Sequence, residues 1–96
     1  MKTRDEIIAF LRSNKAVLEQ LGAKRIALFG SYAKNKSNQN SDIDILVELT
    51  EPDFMLWSGI LNYLRSNLSE NIDLITEGKY LKSGFRNEIQ KDIIYA

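Results

Sequence analysis

Ten residues lie between the pair Gly30-Ser31 and the triplet Asp42-Ile43-Asp44. The pair follows an apolar run ending in Phe29, and a small-residue turn there can bring backbone N–H groups up to a phosphate. The triplet opens a strand-like run through Val47, where residues two apart share a face, so Asp42 and Asp44 can grip a divalent cation together. A third carboxylate, Asp73, interrupts the apolar stretch Ile72-Asp73-Leu74-Ile75. Taken singly, each feature is ordinary: a turn, a solvated strand edge or turn cap, a strand-edge charge. Their conjunction is not, because all three fall on elements that can be neighbours in one small sheet. Converging aspartates repel one another and raise their own pKa values unless a cation neutralises them. The pattern therefore predicts a metal-nucleotide site.

Composition narrows the chemistry further. The chain has 96 residues, 44% of them hydrophobic, which suits one modest core and predicts a single domain over 1–96. Lys+Arg and Asp+Glu are both 13, with no long block of like charge. Nucleic acid is not favoured as the main partner, since phosphate-backbone binding rests on an excess of Lys and Arg. The absence of both cysteine and histidine removes disulfides, thiolate or imidazole metal sites, a Cys nucleophile and Ser-His-Asp chemistry. No apolar run approaches the roughly 20 residues needed to cross a bilayer, so the expectation is a soluble cytoplasmic protein.

Around the three carboxylates the hydrophobic period changes several times. Thr3 and Glu6 form a capping-box pattern, and Ile7, Phe10, Leu11, Leu18 and Leu21 recur at near-helical spacing up to Gly22, predicting one helix over residues 4–21. Arg25–Phe29 reads as a buried strand, Ser31–Lys34 as a short helix and 35–41 as a polar loop. The second strand, Ile43–Leu49, puts Ile43, Ile45 and Val47 on one side and Asp42, Asp44 and Leu46 on the other. After Pro52-Asp53, the residues Trp57, Ile60, Leu61, Leu64 and Leu68 mark an amphipathic helix packed on the sheet. Asn71–Thr76 is a third strand, Leu81, Phe85 and Ile89 mark a last helix, and 93–96 a closing strand. The fold class is α+β: a small mixed sheet with helices packed on it. Phe54, Trp57, Tyr63, Tyr80 and Phe85 all fit core or core-edge positions, and equally a partner surface.

Gly30-Ser31-x10-Asp42-x-Asp44, with Asp73 inside Ile-Asp-Leu-Ile, resembles the minimal nucleotidyltransferase (MNT) branch of the DNA polymerase β superfamily, over nearly the whole chain to the closing Ile-Ile-Tyr-Ala. The resemblance implies the polymerase β-like fold, ATP as substrate and two Mg²⁺ ions. It implies that Gly30 and Ser31 cradle the triphosphate, that Asp42 and Asp44 ligate both metals, and that Asp73 is the third ligand and the candidate base. After Gly-Ser-x-Ala the family often has Arg-Gly, where this chain has Lys34-Asn35; lysine keeps the charge at the triphosphate and loses the bidentate fork. Lys36 is a second candidate for that charge, and both lysines read equally as solvated loop residues.

The implied reaction is nucleotidyl transfer: an acceptor hydroxyl attacks the α-phosphate of ATP and pyrophosphate departs. Such a site works by positioning and charge neutralisation, so the missing histidine is no handicap. Larger superfamily members carry added domains to grip nucleic acid or an antibiotic, and this chain has no residues to spare for one. The acceptor is therefore expected on a partner. In the resembled family that partner is commonly a HEPN ribonuclease toxin, and the small transferase is an antitoxin that adds AMP to a toxin tyrosine. The rival expectation is an idle antitoxin that masks the toxin by contact alone. Transfer to a small molecule such as an aminoglycoside is a third reading, disfavoured by the missing acceptor domain.

Overall fold

A computed structural model describes residues 2–78 and 81–96; Tyr80, one of the aromatics named above, lies outside them. The chain begins with α1 (Arg4–Ser13), whose capping box is complete: the Thr3 hydroxyl accepts from the Glu6 amide at 3.2 Å and the Thr3 amide donates to the Glu6 carboxylate at 3.0 Å. The predicted single helix over 4–21 breaks at Asn14, and α2 (Lys15–Gln20) follows. The Asn14 side chain donates back to the Phe10 carbonyl at 2.9 Å, and its carbonyl oxygen accepts from the Tyr63 hydroxyl at 2.6 Å. An asparagine amide competes with the backbone for helix hydrogen bonds, and here a distant tyrosine fixes it in the competing geometry.

The strands are β1 (Ala23–Phe29), β2 (Ile43–Leu49), β3 (Ile72–Thr76) and β4 (Ile94–Tyr95), in spatial order β3-β2-β1-β4. β1 starts two residues earlier than the apolar run suggested, because Ala23 pairs with Leu49 across an irregularity in the ladder. β2 lies antiparallel to β1 and parallel to β3, so the sheet is mixed. A parallel pair needs a crossover, which α4 (Phe54–Asn67) supplies. The Asp53 carboxylate caps α4 by accepting from the Met55 amide at 2.7 Å. Between β1 and β2 stands the four-residue α3 (Gly30–Ala33), and α5 (Ser83–Gln90) precedes β4.

Strand alternation divides the apolar residues into two clusters. On one face Ile26, Leu28, Ile43, Ile45, Val47, Ile72 and Leu74 pack against Ile7, Leu11 and Leu18 of the first two helices and Ile60, Leu61 and Leu64 of α4. On the other, Ala27, Phe29 and Leu46 meet Ile89 of α5, with Leu81, Ile75 and Ile93 at the margin. Arg86 ties α5 down, pairing with the Glu77 carboxylate and donating to the Gly78 carbonyl at 2.8 Å. Of the two places open to Phe54, core edge or exposed surface, it takes the second: it is 71% exposed, in the first turn of α4.

Candidate functional site

The turn after β1 is built around Gly30, whose φ of 75° lies in the left-handed region that glycine adopts without strain. Its neighbour across the ladder explains the requirement. Phe29 pairs with Asp44, and a Cβ added to Gly30 would lie 2.1 Å from the Asp44 Oδ2. Backbone and carboxylate are thus in contact, an approach only glycine permits. Tyr32 and Ala33, both buried, anchor α3 in the main core, leaving half-buried Ser31 and the first-turn amides at the mouth of the turn.

Asp44 is the second residue of β2 and Asp73 the second of β3, and the parallel register places them side by side, one strand spacing apart (about 4.8 Å). Asp42 precedes β2 by one residue, on the same face, and is exposed, as is Asp73. Asp44 is half-buried. Its burial, then the negative charges of Asp73 and Asp42, push its pKa up from the usual carboxylate range to about 6. Among the described residues no ion pair reaches any of the three aspartates. Nor do any three acidic side chains of the described residues converge closely enough to hold a metal ion among themselves. Register brings Asp44 and Asp73 together, while Asp42 stands at the open mouth; like-charged side chains spread unless a cation sits among them. The donor set still suits Mg²⁺, which takes hard oxygens and is bound through one or two carboxylates, water and phosphate oxygens rather than an all-protein cage.

Lys34 lies at the C-terminal end of α3, and its ammonium stands 3.9 Å from the Asp92 carboxylate. Together with Gly30, Phe29, Phe85, Glu88 and Ile89 these two side chains line a hollow of about 170 Å³ between the turn and α5. Asp92 was not singled out from the sequence. Its partner lies 58 positions away in the chain (92 − 34), and only the i, i+4 spacing of Glu88 and Asp92 hinted at an acidic helix face.

This fold and face define a nucleotidyltransferase. Residues 11–96 match the sequence profile described as "Nucleotidyltransferase domain", and the chain belongs to that family and is an enzyme of that kind. Among its relatives is a Methanocaldococcus jannaschii protein named "Putative protein adenylyltransferase MJ0128", 41% identical over 99% of both chains. Another is the "Protein adenylyltransferase MntA" of Thermococcus cleftensis, 33% identical over 99% of this chain and 97% of that one. Among solved structures, one described as "the toxin-antitoxin with AMP-PNP" superposes with a TM-score of 0.67 at 25% identity, over 98% of this chain and 72% of that one. A second, the toxin-antitoxin MntA-HpeT, has a TM-score of 0.66 at 23% identity, over the same shares of the two chains, and shows the fold alone.

Proposed function

We propose that the protein is a cytoplasmic, Mg²⁺-dependent protein adenylyltransferase that acts as an antitoxin, moving AMP from ATP to a tyrosine of a cognate HEPN ribonuclease. The observation that carries the reading is the contact of the Gly30 turn with Asp44 beside Asp73, which puts a glycine turn of the kind that can approach phosphate next to two neighbouring carboxylates. The protein adenylyltransferase names of the relatives and the toxin-antitoxin structure with AMP-PNP support the choice of nucleotide and of a protein acceptor.

In this reading the Gly30-Ser31 turn and the first-turn amides of α3 hold the triphosphate, and Lys34 exchanges Asp92 for phosphate oxygens. Asp42 and Asp44 bind the metal pair and Asp73 completes it. When bound, Mg²⁺ neutralises the phosphates and lowers the pKa of the attacking oxygen. Asp73, at the exposed strand edge, takes the phenolic proton. The new bond joins the tyrosine oxygen to the α-phosphorus, the bond from that phosphorus to the bridging oxygen breaks, and pyrophosphate leaves with the electron pair.

Intact mass spectrometry of the neighbouring gene's HEPN product, incubated with this protein, ATP and Mg²⁺, tests the proposal. A gain of AMP units abolished by Asp42→Asn with Asp44→Asn supports it. An unchanged mass with a stable complex supports the second reading, an antitoxin that masks by contact, which the engagement of Lys34 by Asp92 favours.

A further inference from the structure

The sheet face that carries the aspartates continues past Gly30 into the hollow against α5. Phe29 pairs with Asp44 across the ladder, so the two side chains leave the same side of the sheet, and Phe29 and Gly30 both line the hollow. From α5, Phe85, Glu88 and Ile89 stand three and four residues apart on one helix face and form the opposite wall. The Gly30-Ser31 turn and the aspartates account for the phosphates and metals of a nucleotide. They leave its base without a seat, and the hollow begins where the turn ends.

The walls have the chemistry of a base site and not of a phosphate site. Phe85 is 38% exposed, while Ile89 beside it is buried. The Phe85 ring meets Phe29 edge to face, centroids 5.9 Å apart at 89°, a contact that engages at most one face of either ring. A partly open aromatic ring is a surface on which a nucleobase stacks. The volume, about 170 Å³, falls below the roughly 300 Å³ at which pockets enclose a whole drug-sized ligand, and suits one flat ring system. Glu88 and Asp92 add two carboxylates, which when ionised only accept hydrogen bonds, so they repel phosphate and receive an exocyclic amine. Their present partners are exposed lysines, Lys91 at 3.3 Å from Glu88 and Lys34 at 3.9 Å from Asp92, pairs weak enough to exchange.

We infer that this hollow seats the base of the nucleotide substrate, an amine-bearing purine stacked on Phe85 with its amine turned to Glu88 and Asp92, deepening the adenylyltransferase reading on which it rests. Binding then divides one ion pair between the two ends of the ligand. Lys34 turns to the phosphates, and the Asp92 oxygens it releases accept from the base.

Calorimetric titration of the full chain in Mg²⁺ tests this with three ligands: ATP, purine riboside triphosphate, which lacks the amine, and inorganic tripolyphosphate, which lacks the base. Wild type is expected to bind ATP at least tenfold more tightly than tripolyphosphate, with the amine-free nucleotide between them. Phe85→Leu, which keeps an apolar side chain against Phe29, should weaken ATP about tenfold and leave tripolyphosphate unchanged. Glu88→Ala with Asp92→Ala should abolish the preference for ATP over the amine-free nucleotide. Release of Lys34 does not disturb that ratio, since both ligands carry the same phosphates. Equal wild-type affinity for ATP and tripolyphosphate, or an ATP affinity unchanged in Phe85→Leu, overturns the inference and leaves the phosphate turn standing. Loss of tripolyphosphate binding together with ATP in Phe85→Leu also overturns it, assigning Phe85 to support of the turn. Should wild type bind neither ligand, the nucleotide reading of Gly30-Ser31 fails, and the inference with it.

Discussion

β2 has two faces made by alternate residues of one seven-residue strand, and they are built to opposite specifications. Ile43, Ile45 and Val47 are sealed under α1, α2 and α4, while Asp44 and, just before the strand, Asp42 look out on the face that α5 only partly covers. Leu46, on the aspartate side, joins the small cluster under Ile89. The first face contributes stability through apolar burial. The second keeps a carboxylate half-buried beside two others, with no ion pair among the described residues. The difference teaches that in so short a chain a single residue step separates what holds the fold from what does the chemistry.

Substitutions that treat the faces oppositely sharpen this contrast. The largest effect is expected from Asp42→Asn with Asp44→Asn: AMP transfer falls by roughly 100- to 1,000-fold or more, with the circular dichroism spectrum unchanged. Retained transfer would break the division of labour. On the sealed face, Ile45→Ala costs about 2–5 kcal/mol in urea unfolding, while the fraction still folded keeps its transfer rate. Between the faces, Gly30→Ala forces a β-carbon onto the Asp44 carboxylate at a positive φ; about 1–3 kcal/mol of stability and nucleotide binding are lost together, read by thermal unfolding with and without ATP.

The smallest effect has the opposite sign. Because the Asp44 pKa is raised to about 6 in the fold from 3.8, the folded chain binds more protons than the unfolded chain between those values. Its contribution is therefore most favourable below pH 4, declines as pH rises toward 6, and stays unfavourable above. A shift of this size corresponds to about 3 kcal/mol, which solvent at a half-exposed site reduces to about 1. Asp44→Asn should raise the Tm of the metal-free protein at pH 7.5 and flatten its decline between pH 4 and 6, even as it removes activity.

The aspartate face was legible in the sequence because its logic is local. A period of two assigns Asp42 and Asp44 to one side without knowledge of anything else, and Gly30-Ser31 marks a turn by composition alone. What escaped is what depends on distant partners. Asn14 ends α1 because the Tyr63 hydroxyl, 49 positions on, holds its side chain. Ala23 joins β1 because Leu49 is opposite it, and Lys34 meets Asp92 across the length of the chain. Between core edge and surface the sequence leaves Phe54 open, since periodicity reports which side of a helix is apolar and not what covers it, and Phe54 is 71% exposed.

The two-residue β4 has a kinetic consequence. It pairs with β1 through Ala27 with Tyr95 and Leu28 with Ile94, with one further bond from the Ala96 amide to the Ile26 carbonyl, closing a loop of nearly seventy residues with few ladder bonds. Chain-closure entropy is large for such a pairing and the enthalpic return small, so β4 and the preceding α5 form the unit that opens first without global unfolding. Amide protons of Ile94 and Tyr95 therefore exchange with solvent well before those of Ile45 and Val47. The same excursion uncovers the hollow between Gly30 and α5, giving that side of the molecule a clock of its own.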